Sequence, residues 1–373
     1  MKITKSILGS LIVAPLLLMG GWAQAQSVEG VSKTSITLGQ SVPLTGQGAT
    51  LAVPFHQGAK LYFDRVNAAG GVNGRKIDLV TLDGAGVVAT TTANTAKFIE
   101  QGVLALFGYY GSPQVTAAYA AIKDTDLLIF APMAAADEFQ GALYPNIFSI
   151  RPGYSEEASV IVKHAETLGA KKLVILHGSD SESLAALDAA VRTMTSNGAN
   201  LLARTPLEAV DKAVAPGPQS VLVIGDPDGA ANAIRGLRAK GFRGPIYAFS
   251  NAGESLLADR LGAAGAGVVV ARVVPKSDHA KIAVVRELQA DAAQAKAGKP
   301  NVYMLEGYIA ARTFTEALRR VPGKELNRAK LRKSIEALDN LSIGGFRMHF
   351  VEERTGSKLV ELSLIDSQGK VRE

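Results

Sequence analysis

Residues 104–123 read LALFGYYGSPQVTAAYAAIK. Leu104 to Phe107 is a short, wholly apolar run, the pattern of a strand buried on both faces of a parallel sheet. Gly108 to Gly111 breaks the run, and Pro113 to Lys123 continues with small and apolar residues at helical spacing. Ser112 is placed as the N-cap and Pro113 at the first helical position, where a missing N–H is harmless. A strand, a glycine turn and a helix in this order make half of a βαβ unit. The helix start leaves unpaired N–H groups and a positive dipole end just beyond the strand's carboxyl tip, a ready seat for a carboxylate.

Outward from that stretch the same alternation repeats. Upstream, Ile36 to Ser41 is a short apolar strand, Val53 to Asn67 a helix, Lys76 to Leu82 an alternating outer strand, and Thr90 to Gln101 a helix. Between the first helix and the outer strand, Gly70, Gly71 and Gly74 supply the positive φ that a tight reversal needs, a structural role rather than a phosphate cradle. Downstream, Leu127 to Phe130 is the next strand. A second series follows Ser149-Ile150-Arg151-Pro152. Its strands are Leu173 to Leu176, Leu201 to Ala203, Val221 to Ile224, Ile246 to Phe249 and Val268 to Val270, with helices between them. From Ala280 to about Leu338 the pattern is helical, and two late strands lie near Phe346 to Phe350 and Leu359 to Ile365. The expectation is an α/β fold of two lobes, each a doubly wound parallel sheet. Ligands of such sheets sit beyond the carboxyl ends of the strands, so two facing lobes offer one shared cleft.

The blocks ITLGQSVPLTG (36–46), QGAKLYF (57–63), VNAAGGVNGR (66–75), FGYYGSP (107–113), APMAA (131–135) and YMLEGYIAAR (303–312) resemble the leucine/isoleucine/valine-type periplasmic binding proteins, the type I solute-binding proteins of ABC transporters. The likeness covers nearly the whole chain after its first residues. It implies a three-strand hinge between lobes, placed near Ser149 to Pro152, Arg272 to Pro275 and Gly344 to Met348. Lobe 1 is then residues 26–150 with 275–345, and lobe 2 is 151–274 with 346–373. It further implies capture of a small carboxylate-bearing solute, an amino acid or an organic or aromatic acid, by hinge closure. Delivery to an ABC permease in the inner membrane would follow. A ligand sensor reporting to a membrane receptor or kinase is the alternative. A monomer is expected.

The resemblance also nominates site residues. Ser112 matches a serine that binds the ligand carboxylate, with Tyr109, Tyr110 and Gly111 around it. Ala134 matches a backbone contact, and Ala135 stands where the family uses a hydroxyl. Tyr303 matches an aromatic at the cleft edge. Where the family's amino-acid binders hold the ligand ammonium with a Glu, this chain has Ser250. A neutral hydroxyl does not offset the desolvation of a buried ammonium as a carboxylate does. Asp180 and Asp226, at neighbouring strand ends, are the candidate substitutes, and either is equally read as a turn residue. Residues 207–217 are shorter than the fuller helix the family usually carries there.

Composition excludes other classes. Lys and Arg exceed Asp and Glu by six, and two of those charges are Lys2 and Lys5. No Lys/Arg run interleaves with aromatics, so nucleic-acid binding is not expected. Met1 to Lys5 is basic, Ile7 to Met19 is an apolar run too short for a comfortable membrane span, and Ala23-Gln24-Ala25 offers a small-x-small cleavage pattern. Residues 1–25 read as a signal peptide, Gln26 as the new start and the periplasm as the destination. The chain has no Cys. The five histidines, His56, His164, His177, His279 and His349, show no metal-ligand spacing, and no Gly-x-Ser-x-Gly follows a strand. Glu156 and Glu157 read as acids that open a helix and complement its dipole. No metal, cofactor or catalytic residue is expected, and the protein is read as a binder rather than an enzyme.

Overall fold

The computed structural model describes residues 29–373; the expected signal peptide and the Gln26 start lie outside them. The first sheet is built from β1 (Ser35–Val42), β2 (Lys76–Asp83), β3 (Ala105–Phe107), β4 (Ile129–Phe130) and β5 (Ile147–Phe148). All its pairings are parallel, in the order β2-β1-β3-β4-β5. Helices α1 (Ala49–Ala68), α2 (Val88–Glu100) and α3 (Ser112–Ile122) connect them. The winding reverses at β1, which places a crevice at the carboxyl ends of β1 and β3. Ser112 follows β3 at that crevice.

The second lobe repeats the arrangement. Helix α4 (Tyr154–Thr167) leads into β6 (Lys172–His177), and α5 (Ser181–Ser196) into β7 (Asn200–Pro206). The short α6 (Val210–Val214), β8 (Ser220–Ile224), α7 (Pro227–Ala239), β9 (Ile246–Ala248), α8 (Glu254–Leu261) and β10 (Val268–Arg272) follow. The five residues of α6 fill the segment read as shorter than usual. Strands β7-β6-β8-β9-β10 run parallel in the same winding order, so a second crevice lies between the carboxyl ends of β6 and β8. Strands β8 and β10 are buried along their whole length, as the apolar runs Val221 to Ile224 and Val268 to Ala271 within them require.

The chain then returns to the first lobe. The expected long helical stretch is three helices, α9 (Ala283–Ala295), α10 (Val302–Arg320) and α11 (Arg328–Glu336). Lys296 in the left-handed region ends α9, and Asn301 caps α10 through its side chain. Helices α1 and α10 cross with their backbones in contact. A Cβ on Gly58 would stand 1.9 Å from the Met304 carbonyl oxygen, and one on Gly307 would stand 2.0 Å from that of Phe55. Around this crossing Phe63, Phe107, Phe130 and Phe314 join in edge and tilted contacts, with centroids 5.1–5.8 Å apart.

A hairpin of β11 (Leu341–Ile343) and β12 (Phe346–Met348) turns through Gly344 and Gly345, both at positive φ. Ile343, Phe346, Met348 and Phe350 lie in the first-lobe core. The third crossing expected at Gly344 to Met348 is therefore corrected, as is the assignment of 346–350 to lobe 2. Phe346, Met348 and Phe350 turn inward to cover the first lobe while Arg347 and His349 stay exposed between them, and the chain leaves only beyond Phe350. There Ser149 pairs with Thr355, and Gly356 N–H donates to the Ser149 carbonyl at 2.7 Å, so the outgoing and returning chains run side by side. Between Ala271, in a second-lobe core, and Val274, in the first-lobe core, lies the remaining crossing. Strands β13 (Glu361–Ile365) and β14 (Val371–Arg372) then extend the second sheet as antiparallel edge strands.

Candidate functional site

The two crevices face each other and their lips touch. Helix α3 begins at Ser112, with Gly111 at φ 86° before it and no side-chain cap. Ser112 is thus not the N-cap that its sequence suggested. The turn needs the left-handed backbone a glycine gives, which moves the cap back one residue. Its hydroxyl instead accepts from Ala136 N–H at 3.3 Å, tying α3 to the loop after β4.

The N–H of Ser112 donates to Glu182 Oε2 at 2.6 Å. Glu182 Oε1 accepts from Ala135 N–H at 3.2 Å and from the Tyr154 hydroxyl at 2.9 Å. Ser112 and Ala135 belong to the first lobe, while Tyr154 and Glu182 open helices of the second. Tyr154 is fixed by its own N–H to the Ala135 carbonyl at 3.0 Å and by stacking on Phe249, centroids 5.4 Å apart. Three donors from three segments therefore converge on one carboxylate. Glu182 is only 7 % exposed.

Behind this seat lies a buried ionic cluster. Arg151, in the first crossing, contacts Glu157 of α4 at 3.2 Å and Glu306 of α10 at 3.4 Å. Its Nη2 also meets the Ser250 hydroxyl. Ser250 donates its N–H to Glu157 Oε2 at 2.8 Å and its hydroxyl to Oε1 at 2.7 Å. Glu157 therefore serves this cluster rather than merely opening α4. Burial opposes the charge on Arg151, but Glu306 and Glu157 outweigh it and leave the guanidinium more basic than usual. Burial raises both carboxyls above their ordinary range, with Arg151 pulling the other way.

The nominated residues divide. Gly111, Ser112, Ala135 and Ser250 lie at the cleft contacts just described. Ala134 is buried in the core under α3. Tyr109 is in that core too, its hydroxyl 3.1 Å from Thr95 Oγ1, so it points away from the cleft and does not flank the seat. Its neighbour Tyr110 points the other way, over Gly48, where a Cβ would stand 2.6 Å from the tyrosine oxygen. Burial, together with Glu182, Asp180 and Asp226, pushes the Tyr110 hydroxyl well above its usual range. Tyr303 spans the lobes: its hydroxyl donates to the carbonyls of Asn251 at 2.7 Å and Ser250 at 3.1 Å.

Asp180 and Asp226 are helix caps. Asp180 accepts from Ser183 N–H at 2.9 Å and Asp226 from Gly229 N–H at 2.8 Å. Both side chains are engaged at the starts of their own helices. The residues that sequence reasoning missed are Arg151, Tyr154, Glu182 and Glu306. Glu182 is an acid in a helix's first turn, and its real partners are 28, 47 and 70 residues away. No local pattern signals that pairing.

Comparison with known proteins agrees with this architecture. The structure of an extracellular ligand-binding receptor from Verminephrobacter eiseniae superposes with a TM-score of 0.84 at 26% identity, covering 91% of this chain and all of that one. A substrate-binding periplasmic protein from Ralstonia solanacearum gives 0.83 at 26% identity, covering 90% of this chain and 99% of the other. This chain thus has the two-lobed periplasmic binding protein type I fold expected from its sequence. The family described as periplasmic binding protein matches residues 35–358, and the chain belongs to that family. Leu/Ile/Val-binding protein homolog 8 of Brucella abortus is 30% identical over 132 residues, 35% of this chain. That match spans 33% of the relative's length. Among the described residues no helix is long and apolar enough to cross a membrane.

Proposed function

We propose that this protein is the solute-binding component of an ABC-type importer, a periplasmic monomer exported by a cleaved signal peptide. It captures a small carboxylate-bearing molecule, an amino acid or an organic or aromatic acid, between its lobes and presents it to a permease. The supporting observation is the convergence of Ser112 N–H, Ala135 N–H and the Tyr154 hydroxyl on a single carboxylate position between the lobes. Such charge-assisted bonds at a helix start are chemically suited to a carboxylate. Ser250, tied to Arg151 and Glu157, offers no free anion to a ligand ammonium, which favours organic and aromatic acids over plain amino acids. The lobes turn about the three chain crossings, and a ligand that prefers the shut arrangement drives closure.

A thermal-shift screen with L-leucine, benzoate and succinate tests this reading. A solute at 100 times its dissociation constant adds about 2.7 kcal/mol of apparent stability. Failure of every carboxylate to raise the midpoint overturns it.

A further inference from the structure

Glu182 does what a ligand carboxylate would do. Its helix does not need it for capping, because Asp180 already accepts from Ser183 N–H at 2.9 Å and from the Ser183 hydroxyl at 2.5 Å. Its side chain instead leaves its own lobe, and its two oxygens take both first-lobe N–H groups of the seat, at 2.6 and 3.2 Å, besides the Tyr154 hydroxyl. A carboxylate this buried is held only where its acceptors are satisfied, and here they are satisfied across the lobe boundary.

We infer that Glu182 is a resident ligand analogue. It shuts the cleft when no solute is bound, and a solute carboxylate enters by displacing it. The inference rests on the carboxylate-seat reading above and adds its regulation. Uptake becomes an exchange of one carboxylate for another. The apparent affinity is set by the fraction of molecules in which Glu182 has let go, since only those are competent to bind. Weak acids that cannot replace all three hydrogen bonds are rejected, so the residue also sets selectivity.

The test compares the wild type with Glu182→Ala and Glu182→Gln. Circular dichroism verifies folding, and the glutamine variant keeps the side-chain volume while removing the charge. Small-angle scattering without ligand should show a larger radius of gyration for both variants. Binding of L-leucine, benzoate and succinate is then measured by calorimetry. Whichever of them binds should bind the alanine variant about tenfold more tightly, the gain when a state populated at roughly one in ten becomes dominant. An unchanged radius of gyration overturns the inference whatever binds. An expanded variant with weakened binding also overturns it, because Glu182 would then be a ligand contact. An expanded variant that, like the wild type, binds none of the three solutes upholds the latch and removes the carboxylate reading of the function.

Discussion

Arg151 Nη1 stands 3.4 Å from Glu306 Oε1, a buried ion pair that ties the first chain crossing to the second turn of α10. Glu157 approaches the same guanidinium from the second lobe at 3.2 Å. One cation thus compensates two buried acids at the point where the lobes meet. Removing it leaves both carboxylates in a dry site.

Arg151→Met is therefore expected to destabilise the protein by about 3–5 kcal/mol, the range for breaking a buried pair by deleting one partner. Urea denaturation measures it. Adding Glu306→Gln to the variant should recover part of the loss. A change below about 1 kcal/mol would mean that the acids simply take up protons at little expense.

The crossing of α1 and α10 leaves no room for a methyl group. Gly307→Ala would drive its Cβ to 2.0 Å from the Phe55 carbonyl oxygen, and both atoms belong to rigid helices. The expected loss is about 1–3 kcal/mol or more, as for other overpacked cores. Gly141→Ala serves as control: nothing lies within 4 Å of its Cβ position and its φ is −121°, so its stability should be unchanged.

Tyr303→Phe removes only the hydroxyl that joins α10 to the Ser250 and Asn251 carbonyls. The shut arrangement should lose about 0.5–1.5 kcal/mol, the net worth of a typical hydrogen bond. Scattering of the ligand-free variant should register a more open average. A fall in thermal midpoint without any change in scattering would assign the hydroxyl to packing within one lobe.

Glu254 supplies a pH dependence. It is fully buried in the first turn of α8, and burial, with Arg272 opposing, pushes its carboxyl up to about 7 from an ordinary 4.5. The native chain therefore binds an additional proton between those values. The stability associated with the neutral acid is full below about pH 4.5 and lost as the pH rises through about 7. A shift of that size is worth about 3 kcal/mol. Denaturation at about pH 5 and pH 8 should show the wild type losing most of this relative to Glu254→Gln, and a difference independent of pH would falsify the assignment.

Much of the fold was legible because buried parallel strands announce themselves. Val221 to Ile224 and Val268 to Val270 are apolar throughout, and both are core strands. Strand β5 was not legible, since Ile147 and Phe148 form a strand of two residues whose pairing is set by β4 alone. Phe346 to Phe350 was read as a late strand, but the inward residues of a strand do not say which of two cores they cover. At the lobe contact, Ser112 had been nominated by its place at a helix start after a strand and by the resemblance, and Ala135 by the resemblance alone. Tyr109 and Tyr110 could not be told apart by sequence, since adjacent residues in extended chain face opposite sides. Glu182 and Arg151 were beyond reach: their roles arise from contacts between lobes, and a charged residue in a helix turn or a linker has a solvated reading that is usually right.

The hairpin and α10 in the first-lobe core carry a consequence for how the molecule is assembled in time. The parallel strands of the second sheet and their helices come from one uninterrupted stretch, so that unit has its main partners at hand once Arg272 has emerged. The first unit must wait, because the helix crossing at Gly58 needs Met304 and Gly307, and its last aromatic cover, Phe350, arrives near the very end. Long-range closure of this kind is slow. In vectorial synthesis or translocation the later-encoded half is thus poised to acquire native structure ahead of the half that is made first.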